Sequence, residues 1–367
     1  MVDVKTRTLR DIDWLLLLAP ICLTLFGCVG ISSTAPEPSF DFVRKQLIFL
    51  VLGIAIALVA MFSDYRKLIA DLAPFFYGFV ILLLILVLTP LGVEINGNRA
   101  WLRIPGLGSL QPSEFAKLAT IMMLARQVSL SRAAKLTLRD MAMMIAIAMP
   151  PIILIALEKD TGTMLTFGAI LAAFFFLSGL QKRWIVIGVI GLVVALISVY
   201  PFLREYQRQR IDVIFHPEQV DPRGYGYQTI QSMVAVGSGG ITGKGIGEGT
   251  QGKLGFLPYA YSDFIAAAVA EETGFLGILL MLALYLIWIW RLVSAAQGAR
   301  DRTGSLLIMG FVSLLIFHIF CNLGMVVGIM PIMGIPLPLM SAGGTSVLAI
   351  FLGIGLALSV RLRKFVN

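Results

Sequence analysis

The chain has 367 residues, 58% of them hydrophobic and 14% charged, with a mean hydropathy of +0.90, which excludes a water-soluble domain with a charged surface. Its formal charge of +8 points to loops on an anionic membrane surface rather than to nucleic acid. In chain order, apolar runs bounded by charge predict membrane helices over 14–33, 47–62, 72–93, 141–157, 163–180, 184–203, 264–290, 305–326 and 345–360. A weaker run over 112–128, interrupted by Glu114 and Lys117, makes a tenth. The expected fold is an all-α polytopic membrane protein of ten transmembrane helices, one membrane domain over 1–367. Spans 1–7 fall within 1–200, a long extracytoplasmic loop over 201–262 joins spans 7 and 8, and spans 8–10 fall within 263–367. No small-residue cleavage site ends the first apolar run, so a retained first helix is expected.

With ten spans both termini share one side. The segments on that side carry seventeen Lys and Arg and the short loops opposite carry five, so the positive-inside rule places the termini in the cytoplasm. Removing the weak tenth span would reverse every later segment and spoil this bias. The apolar stretch 327–344 holds Pro331, Pro336 and Pro338, which forbid a regular helix and predict a partly buried outer loop or re-entrant turn. Cys22, Cys28 and Cys321 lie in apolar runs without metal-ligand or disulfide spacing and read as packing residues.

Ionisable residues at membrane depth are expensive and mark functional sites. On the predicted topology Glu114, Lys117, Glu158, Lys159, Asp160 and Asp263 all converge on the outer side. Glu114 and Lys117 stand three apart on one helical face and can pair, either as a structural ion pair or with the lysine presenting charge to a phosphate. Asp263 opens a stripe with Ala267, Ala270, Gly274 and Gly277. From spacing alone it is either a helix cap, as Ser262 is, or a functional carboxylate. Residues 237–255 hold nine glycines with Lys244 and Lys253 and do not fit a Walker A loop. They read as a flexible outer loop, or as backbone that approaches sugar or phosphate. His216 and His318 have no partner for a zinc motif, and no nucleophile elbow or dinucleotide fingerprint is present.

The stretches GNRAWLRIPGLGSLQPSEFAKL (97–118), GYQTIQSMVAVGSGGITGKGIGEGTQGKLGFLP (226–258), YSDFIAAAVAEETGFLG (261–277) and NLGMVVGIMPIMGIPLPLMSAGGTS (322–346) resemble the SEDS family of bacterial cell-wall polymerases over essentially the whole chain. The run Ile335-Pro336-Leu337-Pro338 is similar to the elongation, or RodA, branch of that family. The resemblance implies an inverting glycosyltransferase of the plasma membrane that polymerises lipid II on its outer face during elongation and rod-shape maintenance. It also implies a class B penicillin-binding protein as partner, along spans 8 and 9 and the outer loop, together with other elongation-complex proteins, membrane lipids and no nucleic acid. Its catalytic aspartate maps to Asp263, which is also the candidate ligand for a divalent cation, Mg²⁺ or Mn²⁺; no organic cofactor is implied. Glu114, Lys117, Arg99, Asp160, Lys244 and Ser341 form the candidate substrate-binding set. Tyr261, Ala266 and Ala342 depart from the residues common in the family. Lipid II brings its own diphosphate leaving group, so the protein must supply one base and several cations or a metal. A flippase of lipid-linked precursors is the alternative, although the polar residues gather on one side whereas alternating access needs a path to both.

Overall fold

The computed structural model describes residues 12–36, 38–95, 98–104, 108–131, 136–181 and 226–363, with scattered positions between 183 and 198. The described chain is mostly helical. Helices α1 (Trp14–Thr34) and α2 (Ser39–Phe62) are followed by a short turn, Tyr65–Lys67, and a π-turn, Leu68–Leu72, that run into α3 (Ala73–Leu88). A three-stranded antiparallel sheet comes next, β1 (Gly92–Ile95), β2 (Asn98–Ile104) and β3 (Gly108–Leu110), in that order. Then follow α4 (Pro112–Leu130), α5 (Leu138–Leu157), α6 (Thr161–Leu177), α7 (Tyr227–Gly239), a single turn Thr250–Lys253, α8 (Ile265–Gln297), α9 (Arg302–Val326) and α10 (Gly344–Leu362).

Seven described helices are long and apolar enough to cross a membrane: α1, α2, the unit Tyr65–Leu88, α5, α8, α9 and α10. The expected fourth and sixth spans are the 19-residue α4, carrying Glu114 and Lys117, and the 17-residue α6. The expected seventh span, 184–203, lies for the most part outside the described residues, as do 201–225 of the outer loop. Three boundaries shift, the eighth span running on to Gln297 rather than ending at 290. The second span begins at Ser39, where Pro38 sets the helix start. The third ends at Leu88, because residues 92–95 pair as a strand instead of continuing the helix.

Helix α10 lies at the centre, packed against α2, α4, α8 and α9. Close approach depends on small residues: a Cβ on Gly355 would meet Ala57 and Ala60 of α2, and one on Gly53 would meet Phe351. Helices α3 to α6 share a second cluster built on Val80, Leu84, Ala116, Ala119, Ile155 and Phe167. The outward faces are apolar too, with Leu15, Phe75, Phe79, Leu279 and Trp290 exposed, as suits a helix whose solvent is lipid. At one end of the bundle Asp13 binds Arg291 at 2.6 Å and Arg361 at 3.0 Å, tying the starts and finishes of α1, α8 and α10 together.

Helix α8 is broken. Gly274 has φ 66° and ψ −163°, so Ile265–Thr273 forms a half-helix separate from the longer part that follows. Such a break orphans carbonyls on one side and amides on the other. The glycine-rich segment supplies the missing partners: Lys244 and Gly245 amides donate to the carbonyls of Glu271 and Glu272, and the Phe275 and Leu276 amides donate to Gly240 and Ile241. A Cβ on Gly274 would collide with Gly243 N and Ile241 O, so the insertion needs glycine there. The segment expected to be a flexible loop is therefore docked, and the expected small-residue stripe from Asp263 to Gly277 does not persist across the break.

Candidate active site

The end of the bundle opposite Asp13 gathers the α2 start, the sheet, the α5–α6 turn, the turn before α8 and the irregular stretch 327–343. Within α4, Glu114 and Lys117 pair at 2.8 Å with side chains only 6% and 2% exposed. Lys117 Nζ also lies 3.4 Å from His318 Nε2, and His318 Nδ1 lies 3.3 Å from the Pro336 carbonyl. A carbonyl can only accept, so Nδ1 carries the proton and Nε2 accepts from the ammonium. The lysine is thus fixed from α4 and α9 at once.

Asp160 caps α6, with Oδ1 accepting from the Thr163 amide at 3.0 Å and Oδ2 from the Thr163 hydroxyl at 2.8 Å and Gln111 Nε2 at 3.4 Å. Burial raises its pKa; the Thr163 hydrogen bonds and, less, the charge of Lys117 oppose that shift, and the charge of Glu114 adds to it. Glu158, two residues earlier, is buried with neither carboxyl oxygen hydrogen-bonded among the described residues. Burial, with a smaller contribution from Asp160, pushes it up to about 8, so it is protonated at neutral pH.

Asp263 sits in the turn that precedes α8. The helix cap is Phe264, without a side-chain cap bond, so neither Asp263 nor Ser262 is the cap that spacing had allowed. Its main chain is held from two sides. Asn322 Nδ2 donates to the Asp263 carbonyl at 2.8 Å and to Ile335 O at 2.9 Å. Ser341 Oγ donates to Ser262 O at 2.6 Å while accepting from Leu337 N, and the Ala342 amide donates to Tyr261 O. The proline-rich stretch is a brace for this turn, irregular as expected. Burial raises the Asp263 carboxyl to about 6; the Ser262 hydroxyl opposes the shift and the Asp160 charge adds to it.

Beside the turn runs a groove of about 390 Å³ whose walls include Phe42, Lys45 and Phe49 of α2, Arg103 of β2, Tyr261 and Gly343. Lys45 and Arg103 are exposed and make no ion pair among the described residues. Gln46 joins the two walls, donating to Ser341 O and accepting from the Gly343 amide.

The structure thus brings Glu114, Lys117, Asp160, Asp263 and Ser341 to one end. Two expected site residues stand apart from this arrangement: Lys244 is engaged by Glu271 at 2.6 Å, and Arg99 is exposed on β2. Gln111, His318, Asn322, Lys45 and Arg103 were not among the expected site residues. His318 and Asn322 did carry a signal, being polar in an apolar span; Lys45 and Arg103 looked like ordinary loop charges. Among the described residues no three His, Cys, Asp or Glu side chains gather as a metal cage. Asp263 offers one carboxylate of the kind Mg²⁺ takes beside water and phosphate, whereas both oxygens of Asp160 already accept from Thr163 and Gln111.

The family model for FtsW, RodA and SpoVE cell cycle proteins matches residues 12–364. A probable peptidoglycan glycosyltransferase FtsW of Geobacter metallireducens is 35% identical over 372 residues, covering 98% of this chain and 97% of its own. The peptidoglycan glycosyltransferase MrdB of Escherichia coli is 35% identical over 355 residues, covering 96% and 94%. A solved chain from a peptidoglycan synthase complex that coordinates polymerization and crosslinking superposes with a TM-score of 0.82 at 32% identity, covering 97% of this chain and 99% of that one. Brace, broken helix and polar end therefore sit in a fold shared from end to end with these relatives, and the chain belongs to the FtsW/RodA/SpoVE family.

Proposed function

We infer that the chain is a peptidoglycan glycosyltransferase that polymerises lipid II into glycan strands. The observation that carries this reading is the full-length family match, with Asp263 held by main-chain contacts in the same turn as Tyr261, which lines a groove together with Lys45 and Arg103. The acceptor hydroxyl gives its proton to Asp263 as its oxygen bonds to the donor's anomeric carbon, and the bond from that carbon to the polyprenyl diphosphate breaks. A carboxyl near pKa 6 is ionised at neutral pH and close enough to it to be an effective base. Displacing an α-linked diphosphate to form a β-linkage inverts the centre, so no covalent enzyme nucleophile is needed. Lys45 and Arg103 face the leaving diphosphate, and Lys117, oriented by Glu114 and His318, adds positive potential behind Asp160. A divalent cation held by Asp263 would neutralise diphosphate charge when bound. Removing the groove cations together, Lys45→Ala with Arg103→Ala, raises KM for lipid II by about 10-fold or more at low salt, since each charge-assisted contact is worth roughly 1.5–3 kcal/mol. Polymerisation assayed against lipid II concentration checks this; an unchanged KM would remove the groove from the substrate path.

The Ile335–Pro338 run favours an elongation role at the bacterial plasma membrane. A class B penicillin-binding protein docks along α8 and α9 and the outer loop, a reading supported by the likeness to a synthase-complex chain and by the exposed Phe275, Leu276, Leu279, Leu286 and Trp290 of α8. Gly310, Gly324 and Gly328 do not serve that contact: they face Phe174, Met330 and Met233 inside the chain. The chain crosses the membrane ten times with both termini cytoplasmic. Single cysteines at Ser131 and Ser238 in intact cells test this, position 238 being labelled by an impermeant maleimide and 131 protected. The opposite pattern would invert the topology.

A further inference from the structure

The break in α8 is closed by backbone hydrogen bonds, yet a second connection lies beside it whose chemistry is different. Glu271, on the last turn of the half-helix, has a side chain 1% exposed. Its Oε1 accepts from Lys244 Nζ at 2.6 Å, the Thr250 amide at 2.8 Å and the Thr250 hydroxyl at 2.9 Å, and its Oε2 accepts from the Gln251 amide at 3.1 Å. From there the contacts lead toward Asp263. The Leu257 amide donates to Gln251 O at 2.8 Å, and Tyr259 O accepts from the Ser262 and Phe264 amides on either side of the aspartate. The half-helix Ile265–Thr273 therefore has the Asp263 turn at one end and the Glu271 carboxylate at the other, with residues 244–264 tied back across it. Close backbone contact runs alongside: a Cβ on Gly239 would strike Ala270 O and one on Gly243 would strike Glu272 O.

We propose that Glu271 is a positioning residue for the polymerase reaction: through Lys244, Thr250 and Gln251 it locks the glycine-rich segment and the half-helix into one frame that sets where Asp263 stands. This rests on the reading of Asp263 as the base. A carboxylate buried with one ammonium and three further donors has a single well-defined geometry, and loosening it leaves buried donors unpaired. The displacement is passed to Asp263 along a segment of about a dozen residues.

The test compares Glu271→Gln, which keeps the shape but not the charge, with Lys244→Met at the more exposed end of the pair. Readouts are kcat and KM for lipid II, both taken per folded protein, with thermal unfolding in detergent beside them. Expected for Glu271→Gln are a kcat lower by about 10–100-fold, as for a small misplacement of a catalytic group, and a KM within about two-fold of the parent's. Lys244→Met lowers kcat in the same sense by less, and the double variant is no worse than Glu271→Gln alone. A folded Glu271→Gln with parental kcat overturns the proposal, as does a lower yield of folded protein whose active fraction keeps the parental kcat. Should Glu271→Gln not fold, Lys244→Met decides: parental kcat overturns the proposal, and a lowered kcat at parental KM supports it. A protein whose Asp263→Asn variant is inactive while Glu271→Gln is parental loses this inference alone. An active Asp263→Asn variant removes the underlying reading instead.

Discussion

Replacing Asp263 by Asn slows glycan polymerisation by about 10²–10⁴-fold, the loss expected of a general base, without unfolding the chain. The contacts that hold its turn are made to carbonyls of residues 261–263 by Asn322, Ser341 and the Ala342 amide, and none of them uses the carboxylate. The side chain caps no helix, so stability gives up little at this position. In the parent protein activity is carried by the ionised form. With the carboxyl raised to about 6, the rate is full well above that pH and falls roughly ten-fold per unit below it. Purified protein incubated with lipid II from pH 5 to 8, with strand products resolved on gels, measures both effects. An Asn variant that folds and polymerises near the parental rate would end the catalytic assignment.

Lys117→Met is the second change with a large expected effect, and its cost falls on two quantities that a companion variant separates. The single substitution leaves Glu114 buried without its cation, and breaking a buried pair in this way costs about 3–5 kcal/mol. Changing Glu114→Gln and Lys117→Met together removes the stranded charge and restores most of that stability. If the lysine contributes potential at the diphosphate, the stable double variant stays slow. Thermal unfolding in detergent beside the polymerisation rate gives the comparison. A double variant recovering both would leave the pair a purely structural one.

The bundle was legible because each apolar run ends at charge or proline, and the ends of α1, α5 and α10 fall within a few residues of where the runs stop. Even α4 was legible as a helix, through Phe115, Leu118, Ile121, Met122 and Leu124, despite the charges among them. The sheet was not. Strands of three to seven residues carry little periodicity, and Gly92–Ile95 follows α3 so closely that the two read as one span. The break at Gly274 was hidden for another reason: an isolated glycine inside an apolar run is compatible with an unbroken helix. What decides it is a segment some thirty residues upstream that fills the gap. The same distance hid the partner of Lys244, which looked like a free loop cation. Glu114 and Lys117 paired as their spacing of three required, whereas His318, whose role comes from Lys117 and Pro336, had no sequence neighbour to betray it.

The groove lined by Tyr261 shares α2 with an outward, mostly apolar surface formed by Phe40, Val43, Leu47, Ile48, Val51 and Leu52 with Arg44 among them. A ligand with a long hydrocarbon tail can therefore reach Lys45 and Arg103 by sliding in the plane of the bilayer, its tail never leaving oil. The encounter is then two-dimensional. Turnover should saturate with the mole fraction of substrate among the lipids and be indifferent to its molarity in the tube. Adding inert phospholipid at constant total substrate would slow the protein as effectively as withdrawing substrate, and in micelles the detergent ratio would play the same part.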